Sequence, residues 1–329
     1  MKQHFLRRQR GVAVVTALLL TTLAVSIVAS LFWQQQVQVR SMENQRLHFQ
    51  TRWILRGGLD LVRLVLRQDM YDSKNITRAD GIWATPLAET RLDQFVERER
   101  LEGESFDAAI SGQTYDAQSR YNLANLAIEG GTGGINKAQL AVFRQLLQNL
   151  QLNPALAMPV ATQVARSQGA GMLAPQQGGQ TPENVIPVPA SGGQPLQLMR
   201  VEDLLSVAGF NQAAIEKLRD LVVVLPEQTK VNVNTAPAEL LAALVVGMSV
   251  SEAQNIVVAR KRTAFISPDN FKDYVKAFGK DLVKDLEVEV GSKYFLVLSR
   301  VRLDRAELLS WSLVMREPTG TRVVWIREI

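Results

Sequence analysis

The sequence predicts an α+β fold: one long N-terminal helix, transmembrane in its first half and amphipathic in its second, packs on an antiparallel sheet that a large, mostly helical insertion interrupts. Three observations predict it. An uncharged apolar run from Val12 to Trp33 follows the basic cluster Arg7-Arg8-Gln9-Arg10 and Gly11. A proline-free stretch then keeps apolar residues at helical spacing to about residue 68. From Tyr294 onward the period changes to two, in three runs separated by turn residues, as in an antiparallel meander. Strands before and after a helical middle indicate one sheet with an insertion.

Composition narrows the function. Hydrophobic content of 47% and charged content of 21% are those of ordinary globular chains. The net charge of +5 falls close to neutral once the basic leader is set aside, which is not the basicity of a nucleic-acid binder. There are no cysteines, so disulfides, thiol chemistry and Cys-based zinc sites are excluded, and an oxidising compartment is tolerated. His4 and His48 are the only histidines.

The apolar run is about 22 residues, enough at 1.5 Å per residue to cross a hydrocarbon core of roughly 30 Å. Lys2, Arg7, Arg8 and Arg10 precede it and Arg40 is the first charge after it, so the N-terminus stays cytoplasmic and the bulk of the chain lies outside. With its continuation the helix reaches about 57 residues and about 85 Å. Gly57-Gly58 lowers helix stability there by about 1 kcal/mol per residue, and a bend is possible at that point.

The stretch from Tyr71 to Pro86 is turn-rich, and Leu92 to Leu101 reads as a short helix. Ser105 to Asp116 and Arg120 to Ile128 read as strands, and Gly130 to Gly134 as a breaker. Asn136 then caps a helix that runs to Leu150 and stops before Pro154. From Ser167 to Gln197 there are six glycines, five prolines and one charge, Glu183, which predicts a mobile loop. Helices are expected again at Val201 to Val207, Gln212 to Leu225, Pro237 to Val245, Ser251 to Arg262, Pro268 to Phe278 and Gly279 to Glu287.

Hydropathy alone allows an uncleaved anchor, and Val28-Ala29-Ser30 is a weak signal-peptidase site inside a run that is too long for a secretory signal. The glycine between basic cluster and apolar run favours another reading. At these residues the chain resembles the type IV pilin and pseudopilin class, in which a membrane peptidase cuts after such a glycine and methylates the new amine. The cut would separate Gly11 from Val12, with Val12 the methylated residue and Thr16 the fifth mature position. Most members of the class carry Glu there, in the role of pairing with the amine of the subunit already in the filament. A subunit with nothing above it needs no such Glu, although a threonine is also an ordinary small residue in a membrane helix.

Lys230-Val-Asn-Val-Asn-Thr-Ala-Pro237 followed by Ala-Glu-Leu-Leu resembles the start of helix-hairpin-helix modules. Asn232 and Asn234 read as turn and capping residues, Thr235 as the cap of a helix that Pro237 helps begin, and Glu239 as its first-turn acid. Glu202-Asp-Leu-Leu before Gly209 is a weak echo of Glu239-Leu-Leu before Gly247. Arg260-Lys261-Arg262 would be the phosphate-binding patch of a DNA-binding version, but the hairpin has one glycine where such hairpins usually show two, and nucleic-acid binding is not expected. No catalytic constellation stands out, and Asp69, Asp72, Asp80 and Asp116 could in principle gather as hard oxygen ligands for calcium, although scattered acids are usually solvated.

Taken together the chain resembles the type II secretion minor pseudopilin K family. The matching residues are the leader through Gly11, Thr16 without Glu, Asp80-Gly-Ile-Trp83-Ala, Ser119-Arg-Tyr-Asn-Leu-Ala-Asn-Leu126, Val201-Glu-Asp-Leu, Leu225-Pro226, Val231-Asn-Val-Asn-Thr-Ala-Pro237 and Gly291-Ser-Lys-Tyr-Phe295. The resemblance implies a structural protein, not an enzyme, that caps the pseudopilus tip and helps initiate its assembly for export of folded proteins. Its partners would be the I and J minor pseudopilins, the major pseudopilin, the prepilin peptidase and inner-membrane components, and possible further contacts are secreted substrates and the outer-membrane secretin. It also implies a division into leader (1–11), transmembrane half (12–33) and periplasmic half (34–68) of the helix. A first part of the sheet domain (69–129), the helical insertion (130–290) and the C-terminal strands (291–329) follow. The family's acidic Asp-Trp-x-Asp-x-Asp stretch, associated with calcium, has no counterpart here, so the metal is left open and no cofactor is required. The competing class is a membrane-anchored DNA-uptake receptor with hairpin modules.

Overall fold

The computed structural model describes residues 10–92, 107–128, 134–170, 183–188 and 195–329. Free of proline, α1 (Arg10–Asp72) is a single helix of about 95 Å. Residues 12–46 are exposed and touch no other part of the described chain closely enough to be covered. Burial begins with Thr51 and continues through Leu55, Leu59 and Leu66, spaced to share one helix face, which packs on Ile110, Phe295, Val297, Val301 and Val314 of the sheet. Each leucine so buried stabilises the contact by about 1.5–3 kcal/mol. No break occurs at Gly57-Gly58. Gly58 serves a close approach instead: a Cβ there would collide with Ile110 Cδ1 of the sheet, whereas Gly57 has open space around it.

After a 3-10 turn at Ile82–Ala84, β1 (Leu87–Arg91) pairs antiparallel with β2 (Ala108–Asp116). The sequence did not announce β1; the helix expected from Leu92 to Leu101 lies, beyond Leu92, outside the described residues. The strand expected at Arg120 to Ile128 shrinks to β3 (Tyr121–Asn122) between two 3-10 turns. The cause is local: Asp116 Oδ1 accepts from the Gln118 amide and Asn122 Oδ1 from the Ala124 amide, closing turns that compete with a strand. Tyr121, Leu123 and Leu126 pack with the helices that follow, Tyr121 stacking on Phe143 at 5.5 Å.

The breaker at residues 130–133 lies outside the described residues, and Gly134 opens β4 (Gly134–Asn136). Asn136 caps α2 (Lys137–Asn149) by accepting from the Gln139 amide, as the sequence predicts. A further helix that periodicity did not reveal, α3 (Ala157–Ala165), follows the Pro154 turn, with Pro159 tolerated in its first turn. Of the expected mobile segment, residues 167–170 continue α3 as a π turn, and β5 (Val185–Pro187) pairs antiparallel with β4. Residues 171–182 and 189–194 lie outside the description.

A 3-10 turn at Val201–Ser206 leads to α4 (Gln212–Leu218). The helix expected to continue to Leu225 stops because the β-branched run at 222–224 enters β6 (Val222–Val223), which pairs parallel with β3. Next come β7 (Val231–Asn232), α5 (Ala238–Leu244), α6 (Val250–Arg262) and α7 (Pro268–Lys276). No helix forms at Gly279 to Glu287. Gly279, at φ +70°, closes α7 by donating to the Lys276 carbonyl, Asp285 turns at φ +63°, and Leu282 bridges to Val245. The short β8 (Val288–Glu289) pairs parallel with β7.

The tail forms the expected meander of β9 (Tyr294–Leu303), β10 (Ala306–Glu317) and β11 (Gly320–Glu328), and the sheet order is β1-β2-β9-β10-β11, antiparallel throughout. Alternation along β9 sends Phe295 and Val297 toward α1, and Tyr294 and Leu296 toward Val223 and Leu225 of the insertion. The sheet is thus covered by α1 on one face and, at one end of the other, by the insertion.

Candidate functional site

Two regions carry the functional argument: the bare end of α1 and the junction of sheet and insertion. At the first, Gly11 and Val12 lie within α1, and Val12 is exposed. Thr16 Oγ1 donates to the carbonyls of Val12 and Ala13, 3.0 Å each, so its hydroxyl is engaged within its own helix. It offers no charge to a neighbour. Among the described residues α1 is the one helix long and apolar enough to cross a membrane.

The second region is a buried polar network centred on Asp116, at the end of β2. Its Oδ2 accepts from Thr235 Oγ1 (2.5 Å), Ser292 Oγ (2.6 Å) and Asn232 Nδ2 (2.9 Å). Asn232 Nδ2 also reaches the Thr77 carbonyl at 3.1 Å and Ser292 Oγ at 2.9 Å, while its Oδ1 accepts from the Asn234 amide. Asn234 in turn clamps Phe265, donating to its carbonyl and accepting from its amide, both at 2.9 Å. On the sheet side Thr77 Oγ1 accepts from the Ser292 amide and from Arg316 Nη2, and Arg316 Nη1 donates to Asp69 Oδ2 at 2.7 Å. The chain of bonds therefore runs from α1 through β10 and β2 into the insertion.

Burial pushes the Asp116 carboxyl up, and its four donors oppose that. Burial likewise raises Asp69 against the pull of Arg316, and lowers Arg316 against the pull of Asp69. With every oxygen of Asp116 facing a donor, the geometry is that of a carboxylate. A buried pair such as Arg316 and Asp69 adds little net stability, but breaking one side costs about 3–5 kcal/mol, so it fixes geometry more than it adds energy.

Several sequence expectations change here. Asn232 and Asn234 do form a turn, but both are fully buried and join elements far apart in sequence. Thr235 does not cap α5; it donates to Asp116, and Pro237 occupies the N-cap with no side-chain bond. The acids Asp69, Asp72, Asp80 and Asp116 do not gather: Asp69 pairs with Arg316, Asp72 accepts from Gln68, Asp80 pairs with Arg78, and Asp116 sits in the network. Among the described residues no three potential ligands cluster. Thr77 and Arg316 escaped the sequence reading, because an isolated polar residue in a turn or on a strand carries no spacing signal, and Ser292 was visible only as part of the Gly291–Phe295 resemblance.

Gly247, at positive φ, joins α5 to α6, and Gly209, also at positive φ, lies between the Val201–Ser206 turn and α4. At the α5–α6 hairpin the groups that could hold an anion are already engaged. Glu252 accepts from the Ser249 amide and hydroxyl at the N-terminus of α6, where a phosphate would sit, and these bonds with Lys280 hold its carboxyl down at about 2. Arg260 turns inward to the Val233 carbonyl at 2.7 Å, and burial lowers it to about 10. Of the three-residue basic run only Lys261 and Arg262 face solvent.

A helix bare and apolar at one end, long enough there to cross a membrane, and packed on an antiparallel sheet at the other defines a pilin-like subunit. Family models described as type II secretion system (T2SS), protein K match residues 119–227 and 231–289. The type II secretion system protein K of Pseudomonas aeruginosa is 30% identical over 98% of this chain and 93% of its own length. That of Aeromonas hydrophila is 24% identical over 88% and 87%, and that of Pectobacterium carotovorum subsp. carotovorum 24% over 96% and 95%. Among solved structures, the GspK-GspI-GspJ complex from the enterotoxigenic Escherichia coli type 2 secretion system contains a chain of similar fold, with a TM-score of 0.58, 18% identity, and coverage of 88% of this chain and 99% of that one. The chain belongs to the type II secretion system protein K family, the minor pseudopilins of that system.

Proposed function

We propose that this minor pseudopilin caps the tip of the pseudopilus and helps initiate its assembly. The observation that carries the reading is Thr16, whose hydroxyl is bonded within its own helix and which offers no carboxylate to a subunit above. The insertion adds a body that a repeating subunit would have to accommodate on every step of the filament. In this reading the chain is cut between Gly11 and Val12, Val12 is N-methylated, the N-terminus is cytoplasmic and residues beyond about 34 are periplasmic. Its immediate partners are the I and J minor pseudopilins, by analogy with the complex of the solved relative. The major pseudopilin lies below, the prepilin peptidase and inner-membrane components act during assembly, and the secretin and secreted proteins are met at the outer end.

We take residues 130–290 as the insertion; among the described residues its helical core also takes in Tyr121 to Ala127, while α1 and the five-stranded sheet supply the pilin-like part. The test pairs crosslinking from residue 16 with imaging of a tag on the insertion. Label confined to one filament end is expected. Label along the whole filament, or a crosslink from residue 16 to the amine of a subunit above, overturns the tip position. Thr16→Glu adds a membrane carboxylate costing about 2.5–3.5 kcal/mol on insertion scales, and at the tip no neighbour's amine offsets it.

A further inference from the structure

Where the second face of the sheet runs out from under the insertion, a cleft of about 750 Å³ opens between β11 and the segment around Met199 and Arg200. Its floor holds Trp311 of β10 and Trp325 of β11, both half-buried. The register places Arg327 directly opposite Trp311, so the two aromatic rings and one guanidinium form a continuous strip. Arg327 lies over the Trp325 ring at 4.0 Å and spends one donor on the Met199 carbonyl at 3.1 Å.

Charge around the strip is unevenly matched. Arg120 pairs with Asp220 at 3.4 Å, Arg219 with Glu202 at 3.6 Å and Arg200 with Asp203 at 3.6 Å. Glu328 turns to the other face, where Arg52 holds it at 2.7 Å. Among the described residues no carboxylate lies in ion-pair contact with Arg327. A planar, half-buried guanidinium with free donors is the best carboxylate receptor a protein offers. Beside it β11 is the last strand of the sheet, paired with a strand on one side only, and Arg63 takes up its Thr321 carbonyl at the far end from Arg327. An edge strand accepts an added extended chain through main-chain bonds, with alternate side chains read by pockets on one face.

We propose that this cleft docks an extended acidic segment of a partner protein, added along the free edge of β11, with a carboxylate on Arg327 and an apolar side chain two residues away on Trp325. The assignment concerns a lateral surface of the sheet domain and stands apart from the tip position: a filament-end location could fail while this site binds, and the reverse.

The test uses the full chain in detergent micelles and a fluorescein-labelled octapeptide of alternating Asp and Val, followed by anisotropy. Binding that weakens as salt rises is expected, with loss of about tenfold or more in affinity for Arg327→Ala. Arg327→Glu should reverse the preference toward the Lys/Val peptide, which separates a charge role from misfolding. Methylating alternate peptide amides should abolish binding. Four results would each overturn the proposal: equal binding of an Asn/Val peptide, competition by inorganic phosphate or anionic vesicles as effective as the peptide, insensitivity to amide methylation, or a crosslink from residue 325 that captures another segment of this same chain.

Discussion

Replacing Asn232 by alanine removes the centre of the junction. The amide stands within hydrogen-bond reach of the Thr77 carbonyl, Asp116 Oδ2 and Ser292 Oγ, and its oxygen holds the Asn234 amide. Bonds between neutral groups contribute about 0.5–1.5 kcal/mol each and one to a carboxylate about 1.5–3, and the orphaned Thr77 and Asn234 backbone groups add a desolvation penalty. The loss should be about 3–5 kcal/mol. All five tryptophans lie outside residues 121–290, so tryptophan fluorescence follows the pilin-like part alone, while far-UV circular dichroism sums α1 with the helices of the insertion. In urea the two signals should coincide for the parent chain and separate for Asn232→Ala, the insertion coming loose first. The double variant with Asp116→Ala should lose less than the two single losses added, because they share one bond. A loss below about 1 kcal/mol, coincident transitions in the variant, or strict additivity would refute the network as the link between the two parts. Asn232→Asp is the pH control. It puts a second carboxyl 2.9 Å from Asp116 Oδ2, so one of the pair must keep a proton in the fold. The folded-state pKa is then raised, and stability is lost as pH rises above the ordinary carboxylate range.

Four shorter expectations accompany it. Gly58→Val should destabilise by about 1–3 kcal/mol because the new side chain meets Ile110, whereas Gly57→Ala, in open space, should be neutral or stabilise by up to about 1 kcal/mol; urea midpoints decide. The Glu252 carboxyl, held near 2 instead of 4.5, supports the start of α6 fully above pH 4.5 and loses it as pH falls toward 2, which amide exchange at Ser249 would follow. N-terminal sequencing of the protein from membranes should begin at Val12, and Gly11→Phe should leave the full-length precursor; a start at Met1 or after Ala29 contradicts the processing. Limited proteolysis should cut first between Ser167 and Gln197 but spare 183–188, which β5 pairing protects.

What the sequence disclosed depended on whether a signal was periodic. The α1 helix, the capped α2 and the C-terminal meander repeat an apolar pattern over many residues, and each stands where the pattern placed it. The misreadings share a cause. At 120–128, 219–225 and 279–287, the apolar residues sit in a core fed from several directions, so periodicity carried no element type. Side-chain caps at Asp116 and Asn122, the pairing of Val222 with Tyr121, and the turn at Gly279 decided the outcome. Within the candidate site, the Asn-Val-Asn-Thr run was visible as a motif, but its partners Asp116 and Ser292, and Arg316 one bond beyond through Thr77, come from distant segments and only the fold unites them.

That union bears on how force reaches the insertion. If force is applied through the N-terminal helix, it passes to a body to which α1 is tied by Leu55, Leu59 and Leu66, by Arg63 to Thr321, and by the buried Asp69 to Arg316 pair. Apolar contacts alone would permit sliding along the helix axis at little cost, because they are non-directional. The Arg316 guanidinium is directional: it grips the Leu66 carbonyl and Asp69 on α1 with one nitrogen and Thr77 and the Ser292 carbonyl with another. From Thr77 and Ser292 the next bonds lead to Asn232 and Asp116, and so into the insertion. A displacement of α1 along its axis is therefore transmitted through fixed bonds, not through a deformable apolar layer. A subunit built this way carries its insertion rigidly, which the proposed tip position would require.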